Sequence, residues 1–328
     1  MPSSPVFQRL GILLFVALII WVTATALLAD LSRVGALLLN LTPSWIAAII
    51  TSVLFNYALR FLKWTYFLRC LNLVISWRDS LWIFFSAFTM VLSPGKLGEL
   101  MKALLIKSRY GIPAARTAPI VMAERLTDLL GLILLAGIGF SRFTYGGMTL
   151  EIVTVLVVGG TLLITRPRFW EYLDRHFLAR FPRFSRIRGS LKIVEESTTN
   201  LLSLKSLVIT VPLSAISWAG EGVALYFIFQ ALQVTRPDLL GISLFAHAFS
   251  SIVGAVSFLP GGLLVTEGTL GGFFILAGIG RDQAVSATIL IRAVTLWFAV
   301  SLGTLVFLSG RRPGELVSMD LPTPSTNT

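Results

Sequence analysis

Long apolar runs, broken twice by a proline-glycine pair, make up most of this chain. Gly11 to Ala29 is apolar apart from two threonines, follows a short start containing Arg9, and is long enough for a helix to span a bilayer core, which takes about 20 residues. Further runs predict spanning helices over Ser44 to Arg69, Ala114 to Phe140, Thr149 to Thr165, Leu207 to Leu232 and Ala284 to Leu308. Ser80 to Leu92 is too short to cross comfortably before Pro94 and Gly95 interrupt it, and Leu97 to Ser108 then resumes helical character. Leu239 to Leu259 runs in the same way into Pro260, Gly261 and Gly262, with Gly268 to Gly278 beyond. Broken backbone at membrane depth is tolerated only where protein or water satisfies its polar groups, so each broken pair predicts a re-entrant helical hairpin. Two short tilted spans are the alternative. The expected fold is an all-α polytopic membrane protein of about seven spanning helices plus two re-entrant hairpins.

The two breaks share one pattern, an apolar run, a Pro-Gly break and then a glutamate among apolar residues: Pro94-Gly95-Lys96-Leu97-Gly98-Glu99 and Pro260 to Glu267. Gly111-Ile112 lies 14 residues before Arg125, and Gly278-Ile279 lies 14 residues before Arg292. Each hairpin is thus followed by a similar turn and by a span with a buried arginine. Two such units in opposite orientation, over about 44–140 and 206–309, form an inverted repeat, which many transporters use to build alternating access. Residues 1–312 read as one integral membrane domain, and the Pro-, Ser- and Thr-rich tail 313–328 is expected to be disordered.

Composition agrees with this. At 55% hydrophobic and 13% charged residues, with a mean hydropathy of +0.83, the chain carries more apolar side chain than a soluble domain of 328 residues can bury. The net charge of +11 suggests nucleic acid at first sight. Its placement argues against that partner, because the basic residues gather in loops. The linker 166–205 holds nine basic and four acidic residues, a net +5, and predicts amphipathic helices at the membrane surface. Arg9, Arg69, Arg78, Lys107, Arg109, Arg116, the linker and Arg311-Arg312 fall on one side of the predicted topology, which the positive-inside rule makes cytoplasmic. The expected location is a bacterial inner membrane, with the N-terminus and the basic linker inside. Cys70 is the only cysteine, so no intrachain disulfide and no cysteine-built metal centre is expected.

An ionisable side chain at the centre of a span costs about 2.5 to 3.5 kcal/mol on insertion scales, so each one needs a reason. Lys96, Glu99 and Lys102 share a face of the helix that starts at the first break, where Gly95 and Gly98 allow close approach; a helix start with adjacent lysines is an anion site, unless the lysines snorkel to the surface. Glu124 and Asp128 face one way in the following span, with Arg125 three residues before Asp128. Arg292 has no carboxylate on its own span, so Glu221 or Glu267 must supply its partner. Arg60 and Lys63, near a helix end, read as interface anchors. His247, beside Ser250 and Ser251, reads as a hydrogen-bonded packing residue, and no metal site, nucleotide motif or cofactor is expected.

At these residues the chain resembles the flippase-like membrane family named after the transmembrane region of lysylphosphatidylglycerol synthases. The resemblance rests on Pro94-Gly95-Lys96-Leu97-Gly98-Glu99, on Glu124-Arg125-Leu126-Thr127-Asp128, on Pro260 to Glu267 and on Arg292, and covers about residues 10 to 308. It departs at Leu264, where the late motif usually has a second glycine-turn residue. The chain has no room for the soluble aminoacyl-transferase domain, so the resemblance implies the lipid-translocating half without lysine transfer. The expectation is therefore a non-enzymatic flippase for polar-headgroup lipids (phospholipid, aminoacylated or glycosylated), with lipid-synthesis enzymes as further partners. The near balance of buried acids and bases suits a zwitterionic or phosphate-containing headgroup. Lys96, Glu99 and Lys102 are expected at a cytoplasmic gate, Glu267 and Arg292 at an outer gate, and Glu124, Arg125 and Asp128 between them. The alternatives are a membrane enzyme that transfers a group onto a lipid with Glu99 or Asp128 as base, and a scaffold for such enzymes.

Overall fold

A computed structural model describes residues 35–36, 41–93, 98–140, 147–176 and 185–310. The expected first span, the residues Pro94, Gly95 and Lys96 of the first break, and the tail lie outside them. The described residues are helical, as the apolar runs predict. Helix α1 (Pro43–Cys70) starts with proline at its first turn, where the missing N–H costs nothing. Helix α2 (Trp77–Ser86) is capped by Ser76, whose hydroxyl accepts from the Asp79 N–H at 3.2 Å, and passes into a 3₁₀ turn at Ala87–Met90. After the break, α3 (Met101–Tyr110) ends on Gly111 at φ +68°, a left-handed stop. Helix α4 (Ala114–Phe140), α5 (Gly147–Ile164), α6 (Pro167–His176) and α7 (Ser185–Leu201) follow.

The second half repeats the order. It comprises α8 (Leu204–Ala231), α9 (Leu239–Val256), a 3₁₀ turn at Pro260–Gly262, α10 (Val265–Leu276), α11 (Arg281–Arg292), a π-helical turn at Ala293–Trp297 and α12 (Phe298–Ser309). Among the described residues, five stretches are long and apolar enough to cross a membrane: α1, α5, α8, α9 and the continuous run 281–309. Helix α4 has the length, at 27 residues, but carries Arg116, Glu124, Arg125 and Asp128. The two broken units differ here. The 10-residue α2 is too short to cross, whereas the 18 residues of α9 suffice by length.

Helices α1 and α8 form the central pair, each 28 residues long. They meet at Asn56 and Ser217: the Asn56 amide donates to the Ser217 carbonyl at 2.9 Å and to its hydroxyl at 3.0 Å, and that hydroxyl donates to the Asn56 carbonyl at 3.1 Å. Each of these residues is the fourteenth of its own helix. Helix α8 also packs on α4 and α9, and α9 packs on α4. In turn, α2 and its 3₁₀ turn pack on α12. The broken unit of each half therefore rests on the last long helix of the other half.

Lipid gives helices no hydrophobic reason to associate, so small residues and polar contacts set the approach. A Cβ on Gly303 of α12 would lie 2.5 Å from the Thr89 nitrogen, and one on Gly131 of α4 would lie 2.7 Å from the Ala215 nitrogen of α8. Within the basic linker, α7 packs along α4 and buries Ser197, Thr198 and Leu201, so this helix is built into the bundle rather than lying free on a surface.

Candidate functional site

Both breaks place a glutamate at the start of a helix, and both glutamates meet the arginine that lies 14 residues beyond the Gly-Ile turn. Glu99 lies 2.8 Å from the Arg125 guanidinium, and Arg292 donates through Nε to Glu267 at 2.7 Å. Arg292 also donates through Nη2 to the Gly261 carbonyl at 2.7 Å, which ties the last long run to the second break. Of the two partners expected for Arg292, Glu267 is the one it finds. Glu221 instead lies 3.0 Å from His247 Nε2.

The breaks are sterically tight. In the first, the Ser93 hydroxyl accepts from the Gly98 N–H at 2.6 Å, and a Cβ on Gly98 would lie 2.8 Å from the Met90 carbonyl. In the second, Gly261 and Gly262 adopt φ +60° and +66°, and a Cβ on Gly262 would meet the Thr266 hydroxyl at 2.6 Å. Leu264, where the sequence departs from the resemblance, adopts φ +69° and ψ −42°, a conformation costly for a residue with a branched side chain.

Two expectations are corrected. Lys63 is no interface anchor: it is 1% exposed, forms an ion pair with Asp128 and donates to the Ser214 hydroxyl at 2.7 Å. Arg60 does not anchor at an interface either, because its guanidinium turns inward over the rings of Phe88 and Trp218. Nor does Lys102 line the cavity that Glu99 lines. Lys102 does not snorkel; it is 2% exposed, donates to Glu124 at 2.8 Å and lies 4.9 Å from the ring centres of Trp64 and Phe84. Lys102 and Glu124 thus form a buried strut between α3 and α4. Lys96 falls outside the described residues.

Glu99, Arg125, Asp128 and Arg292 line one cavity of about 440 Å³, and Arg60, Glu221 and His247 line it too. Its wall draws on α1, α4, α8, α9, the second break and the π-helical turn. That turn follows Arg292 directly, and the Tyr57 hydroxyl donates to its Thr295 carbonyl at 3.1 Å; single π turns inside α-helices recur at functional sites. One side of the cavity is apolar. Leu156, Val256, Phe258 and Leu259 line it and are 43–73% exposed on the outer face of the bundle. Among the described residues, no group of His, Cys, Asp and Glu has the arrangement of a metal site.

Sequence reasoning missed Arg60, Tyr57, Lys63 and the Glu221–His247 pair as neighbours of this cavity. A signal was present, since Asn56, Tyr57, Arg60 and Lys63 recur at helical spacing and form a polar stripe on an otherwise apolar span.

Comparison with known proteins agrees with this architecture. A family model described as the lysylphosphatidylglycerol synthase TM region matches residues 8–303. The chain is 26% identical over 327 residues to a UPF0104 membrane protein of Methanothermobacter thermautotrophicus, an alignment that covers 91% of each chain. It is 25% identical over 277 residues to one from Pyrococcus horikoshii, covering 76% of this chain and 82% of the relative. A third, from Methanocaldococcus jannaschii, is 26% identical over 223 residues, covering 67% and 93%. No solved structure matches the chain.

Proposed function

The chain belongs to the family of the lysylphosphatidylglycerol synthase transmembrane region, and from that premise we propose that it is a flippase that moves polar-headgroup lipids between the leaflets of its membrane. One observation carries this reading: a single cavity combines a charged wall with an apolar flank that opens on the outer face of the bundle. A lipid has the same division. Its headgroup needs polar partners, while its chains lose nothing by staying in hydrocarbon. Intramembrane charges in protein-lined cavities recur on substrate paths, and paired helix breaks in two corresponding halves recur at transport sites.

In this reading the Glu99–Arg125 and Glu267–Arg292 pairs are equivalent clasps, one for each broken unit. Each can exchange its partner for a charged headgroup as the cavity opens to one side or the other. Lys102 and Glu124 hold the first unit to α4 and do not touch the lipid. In this reading the basic linker lies on the cytoplasmic side of an inner membrane, an orientation that the charge asymmetry of the sequence supports.

The test is lipid translocation by the purified protein in liposomes, read with a panel of headgroup-labelled lipids. Wild-type protein is expected to translocate at least one of them, and Arg292→Gln and Glu99→Gln are expected to slow it at least tenfold. Folded wild-type protein that moves no lipid of the panel overturns the proposal.

A further inference from the structure

Among the described residues, the cations in and behind the cavity wall are paired with carboxylates, with one exception. Arg125 meets Glu99 and Asp128, Arg292 meets Glu267, Lys63 meets Asp128, and Lys102 meets Glu124. Arg60 has no carboxylate within ion-pair distance among the described residues. Its guanidinium carbon lies 5.5 Å from the ring centre of Phe88 and 5.8 Å from that of Trp218. Aromatic faces orient a guanidinium and partly offset its desolvation, yet they accept none of its directed N–H bonds. The result is a half-buried cation on the cavity wall, held against two aromatic rings.

From this we infer that Arg60 binds the phosphate of a phospholipid headgroup, and that the substrates are phosphate-bearing lipids rather than neutral glycosylated ones. The inference deepens the flippase reading and rests on it for the lipid part of the ligand. A planar guanidinium matches two phosphate oxygens with parallel N–H bonds, which a sugar hydroxyl cannot reproduce. The paired arginines serve this role less well, because each must first release its glutamate. The exposed apolar flank favours a phosphate that carries acyl chains over a free anion.

The test measures binding by the full chain in detergent. The probes are dihexanoyl-phosphatidylglycerol, a dihexanoyl glucosyl glycerolipid and inorganic phosphate, titrated by calorimetry against wild type, Arg60→Gln and Arg60→Lys. Wild type is expected to bind the phosphatidylglycerol at least tenfold more tightly than the glycolipid, Arg60→Gln to lose that preference, and Arg60→Lys to keep part of it. A second arm does not depend on the folding of a variant: wild-type protein is treated with phenylglyoxal, and modification of Arg60 is followed by mass spectrometry. The phosphatidylglycerol is expected to protect Arg60, and the glycolipid is not. Equal affinity of wild type and folded Arg60→Gln for the phosphatidylglycerol, or no protection of Arg60, overturns the inference. Inorganic phosphate binding as tightly as the lipid, with the same loss in Arg60→Gln, overturns the lipid source. These results stand apart from the liposome assay: a protein that binds phosphatidylglycerol through Arg60 yet moves no lipid contradicts the flippase reading alone.

Discussion

Lys63 is buried against the Asp128 carboxylate and the Ser214 and Thr127 hydroxyls, and removing either charge of the ion pair takes the nearest counter-charge from the other. Lys63→Ala is expected to destabilise the fold by about 3 kcal/mol or more, somewhat relieved by Arg125, which lies 3.6 Å from Asp128. Lys63→Met combined with Asp128→Leu is expected to recover most of that loss, because a well-packed apolar pair replaces the ions. Thermal unfolding in detergent checks both, and a single variant as stable as wild type would contradict the account. Leu264 predicts the opposite sign. Its side chain is 50% exposed and its backbone lies in the left-handed region, so Leu264→Gly trades strain of about 1–3 kcal/mol against a glycine entropy cost of about 0.5–1 kcal/mol. The melting temperature should rise. At this scale the sequence shows which residues are out of place in a span but not what faces them. Lys63 looks like an anchor because its partners Asp128 and Ser214 lie 65 and 151 residues away and arrive only when α4 and α8 pack.

The first broken unit is closed at its solvent-accessible base. Asp79 forms an ion pair with Arg109, and the Tyr110 hydroxyl donates to its other oxygen at 2.6 Å. Burial alone would raise the Asp79 carboxyl, but hydrogen bonds from Tyr110 and Ser76 and the charge of Arg109 outweigh it and hold it below the usual carboxylate range. A carboxyl depressed in the folded state contributes stability above its unfolded value and loses it as pH falls through the folded one. Hydrogen exchange over 76–110 is therefore expected to quicken under acid in wild type and to be fast already at neutral pH in Asp79→Asn. The tip of the same unit depends on Gly303, and Gly303→Ala is expected to cost about 1–3 kcal/mol as α12 is pushed from the Thr89 backbone, again read by thermal unfolding. Helix bounds were largely legible, since apolar runs, prolines and the Gly111 stop mark them directly. The difference between α2 and α9 was less so, because the Pro-Gly signature is the same in both and only the length of the preceding apolar run separates them.

For the whole molecule, motif spacing alone pointed to the arginine that each broken unit brings to its glutamate. The exchange of supports was not legible. Nothing in a linear pattern says that α9 rests on α4 while α2 rests on α12, nor that α1 and α8 pair at the centre. Their crossing is the feature with the widest reach. The Asn56–Ser217 contact bisects both helices, which leaves arms of about 20 Å on every side at 1.5 Å per residue. If the pair rocked about that point, leverage would be equal at all four helix ends, and neither face of the molecule would hold a mechanical advantage over the other. A balance beam hung at its centre favours no direction, and the direction of net movement would then be set by what is loaded on each side.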